Sequence, residues 1–174
     1  GYRFIVPSYD LCPTVKISDI THQIRDLLCY VLENYDGLIS LTGHSAGGHL
    51  VSRMVSADQW ISSRLRFDLL KRLNHVVAIS PIADLRPLLK TSMNNKFNLN
   101  HDTAKKESPV FHTKMTVPFT IIVGEHERPA FISQAKYLSE AWSCSKIIAK
   151  GKHHFSVLDD LENGRSGLVD LLTK

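Results

Sequence analysis

Short apolar runs alternate with amphipathic stretches along most of this chain. Residues 3–6, 38–42, 75–79, 119–123 and 146–149 are each a brief, β-rich apolar run and predict strands. Between them, residues 17–35 carry apolar positions at helical spacing, with Ser18 as the expected N-cap and Asp36-Gly37 as the stop. A helix is also predicted from just after residue 45 to about residue 56, a more polar one over 59–73, another over 129–142, and a closing one over 156–173. Residues 81–118 have no sustained period and contain prolines at 81, 87, 109 and 118, so they predict short helical pieces in an irregular segment. Strands that are apolar throughout and alternate with helices belong to a parallel sheet covered on both faces. In such sheets, sites form at the carboxyl ends of the strands.

The most informative of those ends is Gly43-His44-Ser45-Ala46-Gly47, which stands between the run at 38–42 and the helix that follows. Strand, G-x-S-x-G, helix is the pattern of a nucleophile elbow. The turn is tight, and glycines two residues before and after the serine are expected to relieve the crowding. Ser45 would stand clear of the sheet. The Ala46 N–H, at the positive end of a helix, would face a developing oxyanion. A serine hydroxyl needs a base, and the base needs an orienting carboxylate, in the chain order serine, acid, histidine for this architecture. Gly151-Lys152-His153-His154-Phe155 follows the last predicted strand. His154 is favoured over His153 because Phe155 beside it can anchor the loop in the core. Glu127, just past the strand at 119–123, is the first choice of acid, with Asp84 and Glu125 as alternatives. His44 is read as packing beside the serine, and His22, His75, His101, His112 and His126 as surface or structural residues.

Composition narrows the rest. The chain has 174 residues, 43% hydrophobic and 22% charged, which suits one globular domain. Its net charge of +4 is scattered and not gathered into a basic stripe, so no nucleic-acid partner is expected. No run approaches the ~18 apolar residues of a membrane span. Cys12, Cys29 and Cys144 are odd in number and far apart, which predicts a reducing, cytoplasmic setting and no metal-ligand spacing. The expected partner is a small-molecule substrate, with a homodimer as the one assembly considered.

Beyond the elbow, several stretches resemble the arylformamidase (kynurenine formamidase) branch of the α/β-hydrolases. They are Pro7 to Pro13, Gly43 to Leu50, Ser80 to Leu88, Asn95, Ser108-Pro109, Gly124 to Phe131 with Gln134, and His154-Phe155. The resemblance implies hydrolysis of N-formyl-L-kynurenine to kynurenine and formate, no cofactor or metal, and Ser45, Glu127 and His154 as a triad. That family usually has an aspartate at the position of Glu127. Asp84 and Arg86 are expected to form a loop-ordering ion pair; the alternative reading makes the stretch to Pro109, within the irregular 81–118 segment, a cap over the site that selects the acyl acceptor. The His-Gly-Gly-type loop of such hydrolases is not found in this sequence. The chain therefore reads as a partial α/β-hydrolase fold lacking its N-terminal strands, including one between the run at 3–6 and the elbow strand. A missing oxyanion donor costs on the order of 10²–10³ in rate, so the chain by itself is expected to turn over poorly. The rival expectations are a general short-chain carboxylesterase and a catalytically silent, ligand-binding relative.

Overall fold

The structure is a computed structural model that describes residues 1–58 and 62–173. Its elements in chain order are α1 (Ile17–Asn34), β1 (Ile39–His44), α2 (Ala46–Met54), α3 (Ser63–Arg72), β2 (Leu73–Ile79), α4 (Asn94–Phe97), α5 (His101–Lys106), β3 (Phe119–Gly124), α6 (Pro129–Trp142), β4 (Ser145–Ala149) and α7 (Gly167–Thr173). Short 3₁₀ turns cover Arg86–Lys90, Pro109–Phe111 and Ser156–Glu162. The four strands form one parallel sheet in the order β1-β2-β3-β4.

Each of β2 and β3 feeds two cores, because successive side chains leave a strand on opposite faces. Val76, Ala78, Phe119, Ile121 and Val123 face a large cluster with Val51 and Met54 of α2 and Ala135 and Leu138 of α6. Val77, Ile79 and Ile122 face the other way, onto Val157 and Leu168. The two central strands are thus buried on both sides. Cover thins at β4, where Ile147 and Ile148 are half-exposed. A third, smaller cluster of Leu85, Leu99 and Ala104 holds the 81–118 segment together and packs on Ile17 at the start of α1.

Three local expectations are corrected. Residues 3–6 form no strand. They lie exposed, Val6 at 91%, and pair with no strand of the sheet; without a partner an extended run leaves its amides to water and is not held as a strand. The N-cap of α1 is Lys16 and not Ser18, since the Asp19 carboxylate reaches back 2.8 Å to the Lys16 N–H and fixes the first turn one step earlier. The closing helix is two pieces. The chain breaks over 163–166, and Ser166 opens α7 by accepting the Val169 N–H at 3.1 Å. The polar helix predicted over 59–73 is present as α3, with residues 59–61 lying outside the described residues.

Candidate functional site

The carboxyl ends of β1, β2 and β3 and the loop after β4 converge. Ser45 lies between β1 and α2 with φ 56° and ψ −111°, a conformation that L-residues rarely adopt and that marks a functional turn. Its N–H donates to the Ile79 carbonyl at 2.8 Å, and its carbonyl accepts the His49 N–H at 3.0 Å. Ala46 is the first residue of α2, so its N–H has no partner within the helix and points out of its positive end.

Only one of the two elbow glycines is forced by space. A Cβ on Gly43 would sit 2.2 Å from the Gly47 carbonyl oxygen, whereas one on Gly47 would meet nothing within 4 Å. The crowding expected on both sides of the serine therefore falls on Gly43, and on Gly48, whose Cβ would lie 3.0 Å from the Ile79 oxygen. Gly43→Ala is expected to cost about 3 kcal/mol or more through overpacking against backbone. Gly47→Ala is expected to leave stability unchanged or raise it by up to about 1 kcal/mol. Urea unfolding of the two variants side by side checks this; equal losses would overturn it.

The acid and the histidine meet directly. Glu127 Oε2 accepts the Nδ1–H of His154 at 2.7 Å. Its other oxygen, Oε1, accepts the Gly124 N–H at 2.9 Å and the Ser80 hydroxyl. Burial pulls the Glu127 carboxyl upward, but the hydrogen bonds from Ser80, Gly124 and His154 outweigh it and hold the group below the ordinary carboxylate value. Because Nδ1 carries the proton given to Glu127, His154 keeps Nε2 free to accept one.

The histidine loop is fixed from three sides. His44, the residue before Ser45, donates from Nε2 to the His154 carbonyl at 2.7 Å. The Phe131 ring lies 4.1 Å from the His154 ring, centre to centre. The acid loop is laced to the histidine loop by His126 N–H to the Lys152 carbonyl at 2.9 Å and by Gly151 N–H to Glu125 Oε2 at 2.9 Å. This approach needs Gly124, where a Cβ would lie 2.4 Å from the Lys152 oxygen. Phe155 does not anchor the loop as expected. It is 71% exposed, and Phe131 and His44 hold His154 instead.

The alternative residues are engaged elsewhere. His153 accepts the N–H groups of Phe155 and Ser156 at 3.2 and 3.3 Å and so orders the 3₁₀ turn that follows. Asp84 is held by Arg86 through contacts of 2.8 to 3.2 Å, the loop-ordering ion pair, and Arg86 also lies over the Phe111 ring at 4.4 Å. Glu125 is half-exposed and turned to Gly151. Sequence reasoning missed Ser80, Gly124, His44 as a hydrogen-bond donor, and Phe131. The Ser-Pro after β2 and the glycine ending β3 were the available signals.

Beneath the elbow, His49 is 4% exposed and donates from Nε2 to the Glu107 carbonyl at 2.6 Å. Glu107 also accepts the Thr21 hydroxyl at 3.1 Å and lies 3.5 Å from Arg53, which pairs with Asp58. The 81–118 segment is thereby tied to α1 and α2. Burial lowers His49 from the ordinary 6.5 to about 4. Between those values the unfolded chain takes up a proton that the folded one refuses, so stability falls as pH drops through that window. The loss from this group is about 3 kcal/mol. His49→Gln should flatten the dependence of unfolding free energy on pH between about 6.5 and 4; an unchanged slope would overturn the assignment. Among the described residues, no helix is long and apolar enough to cross a membrane.

Sheet order, elbow and loop positions are those of an α/β-hydrolase, and comparison with known proteins agrees. A solved structure from Silicibacter sp. TM1040, described as a candidate thioesterase, is 46% identical with a TM-score of 0.90, over 97% of this chain and 63% of that one. Thermogutta terrifontis esterase 2, at 20% identity and a TM-score of 0.64 over 91% of this chain and 63% of that one, shares the fold. The curated sequence relatives that the chain matches are kynurenine formamidases. It is similar to the kynurenine formamidases of Danio rerio, at 25% identity over 100% of this chain and 62% of that protein, and of Drosophila melanogaster, at 23% over 92% and 58%. The chain therefore spans about three-fifths of the length of the curated relatives it matches. No family model matches it.

Proposed function

We propose that this chain carries the catalytic groups of a serine hydrolase acting on an aryl formamide, with N-formyl-L-kynurenine as the favoured substrate. The observation that carries the reading is the 2.7 Å bond between Glu127 and His154 on loops pinned to the residue beside Ser45. In this reading Ser45 Oγ attacks the formyl carbon while His154 Nε2 takes its proton. The Ala46 N–H stabilises the oxyanion, at the positive end of α2. His154, its charge held by Glu127, then protonates the departing aryl amine. Water cleaves the formyl-serine with His154 again as base. An aryl amine leaves more readily than an alkyl one, so esterase-like groups suffice for this amide. Residues 81–118, tied to the elbow helix through Glu107 and His49, are assigned as the cap that selects the leaving group.

A second reading has its own support. The 46% identical Silicibacter protein is described as a candidate thioesterase, so the same groups acting on esters or thioesters are the direct rival. The chemistry at Ser45 is common to both. Relative kcat/KM for formanilides against acetyl and butyryl esters and thioesters discriminates, and a preference for the esters or thioesters would replace the formamide. A third reading, a silent relative, is tested by a fluorophosphonate probe. Thermogutta esterase 2 is phosphonylated by sarin, and labelling at Ser45 is expected here. An unlabelled Ser45 in folded protein would favour the silent form.

A further inference from the structure

Ser80 is the group in the site whose chemistry no sequence motif assigns. It follows the last residue of β2, is fully buried, and sits at φ 48°. That conformation is strained for any residue with a Cβ and persists only where the surroundings fix it. Two contacts do so here. The Ser80 N–H donates to the Ile122 carbonyl at 2.7 Å, and the hydroxyl donates to Glu127 Oε1. The turn therefore delivers a single O–H donor, out of water, to the carboxylate oxygen that His154 does not use.

We infer that Ser80 is a positioning residue for the reaction, holding Glu127 so that its second oxygen meets His154 Nδ1. This rests on the hydrolase reading given above. A carboxylate on the long glutamate stem can rotate, and two donors on one oxygen, Ser80 O–H and Gly124 N–H, fix it. The titratable groups facing it are His154 from the loop after β4 and His44 from the end of β1. Removing the hydroxyl leaves Oε1 with one donor, Gly124 N–H, so the carboxylate is freer to rotate and its contact with His154 Nδ1 loosens.

The test uses Ser80→Ala and Ser80→Gly in the protein that carries this sequence. Glycine tolerates the positive φ, so Ser80→Gly keeps the fold where alanine fails. In both, kcat is expected to fall on the order of 10–100-fold, the worth of one hydrogen bond to a buried charge, with KM within about twofold. The ¹⁵N chemical shifts of His154 should also change, because they report the contact at Nδ1. Unchanged His154 shifts, or kcat within about twofold, would reduce Ser80 to packing. A double-mutant cycle with Glu127→Ala, which removes the accepting oxygen, reads the same contact in urea unfolding without turnover. Non-additivity of about tenfold in the unfolding constant is expected, and additive effects would overturn the contact. A parent that turns over no formanilide, ester or thioester would sink the hydrolase reading instead, and the cycle would still decide for or against Ser80.

Discussion

Ser45→Ala should abolish turnover, with kcat falling ~10⁴-fold or more. The substitution removes the attacking oxygen and nothing that shapes the elbow, since the turn is set by Gly43 and by the Ser45 N–H bond to Ile79, which alanine keeps. Formate release from N-formyl-L-kynurenine or a formanilide measures it, with fluorophosphonate labelling as a second readout. Both should vanish together while the unfolding curve stays put. Turnover within a few-fold of the parent would mean that another group attacks and that Ser45 is only a strained turn.

Glu127→Gln should be nearly as severe, for a different reason. Two donors, Ser80 O–H and Gly124 N–H, point at the Oε1 position, so the amide oxygen of a glutamine must settle there. Its NH₂ then faces His154 Nδ1, where the carboxylate accepted a proton in the parent. Facing a donor, the imidazole turns Nδ1 into an acceptor and moves its proton to Nε2, the atom that has to receive the serine proton. A wrong tautomer of this kind costs a serine triad on the order of 10⁴ in kcat. The measurement is kcat at neutral pH together with the ¹⁵N chemical shifts of His154, which report which nitrogen is protonated. Activity near that of the parent would remove Glu127 from the mechanism. The substitution also changes acid stability. A carboxyl held below its ordinary 4.5 stabilises the fold above that pH, and the contribution is lost as pH falls through the lowered value. The glutamine variant should lack that part of the acid transition.

Most of the scaffold could be read from period and punctuation. Fully apolar runs at 75–79 and 119–123 became the two strands buried on both faces, and G-x-S-x-G fell where strand meets helix. The run at 3–6 misled because strand propensity is silent about partners, and a strand exists only beside another. Glu127 and His154, picked by their position after strands, are hydrogen-bonded to each other. The reason given for His154 failed, because a neighbouring phenylalanine can as easily face water as the core. Ser80 and His44 stayed hidden because their work depends on contacts across 47 and 110 residues of chain, which no local pattern records. The pairing of Asp84 with Arg86 was legible because it is local, two residues apart.

The lacing of the acid loop to the histidine loop has a consequence for how such a protein can change. Gly124, His126 and Glu125 meet Lys152 and Gly151 backbone to backbone or nearly so, just past the point where β3 and β4 end their ladder at Gly124 and Ala149. Glu127 and His154 are therefore inherited as one part, and a shift in either loop displaces both. Mutational drift that alters what the site accepts has little freedom there. It is left to accumulate at the exposed positions of the 81–118 segment, whose hydrogen bond to His49 of the elbow helix comes from the Glu107 backbone carbonyl, an atom every residue supplies, while the Glu107 side chain facing Arg53 stays constrained.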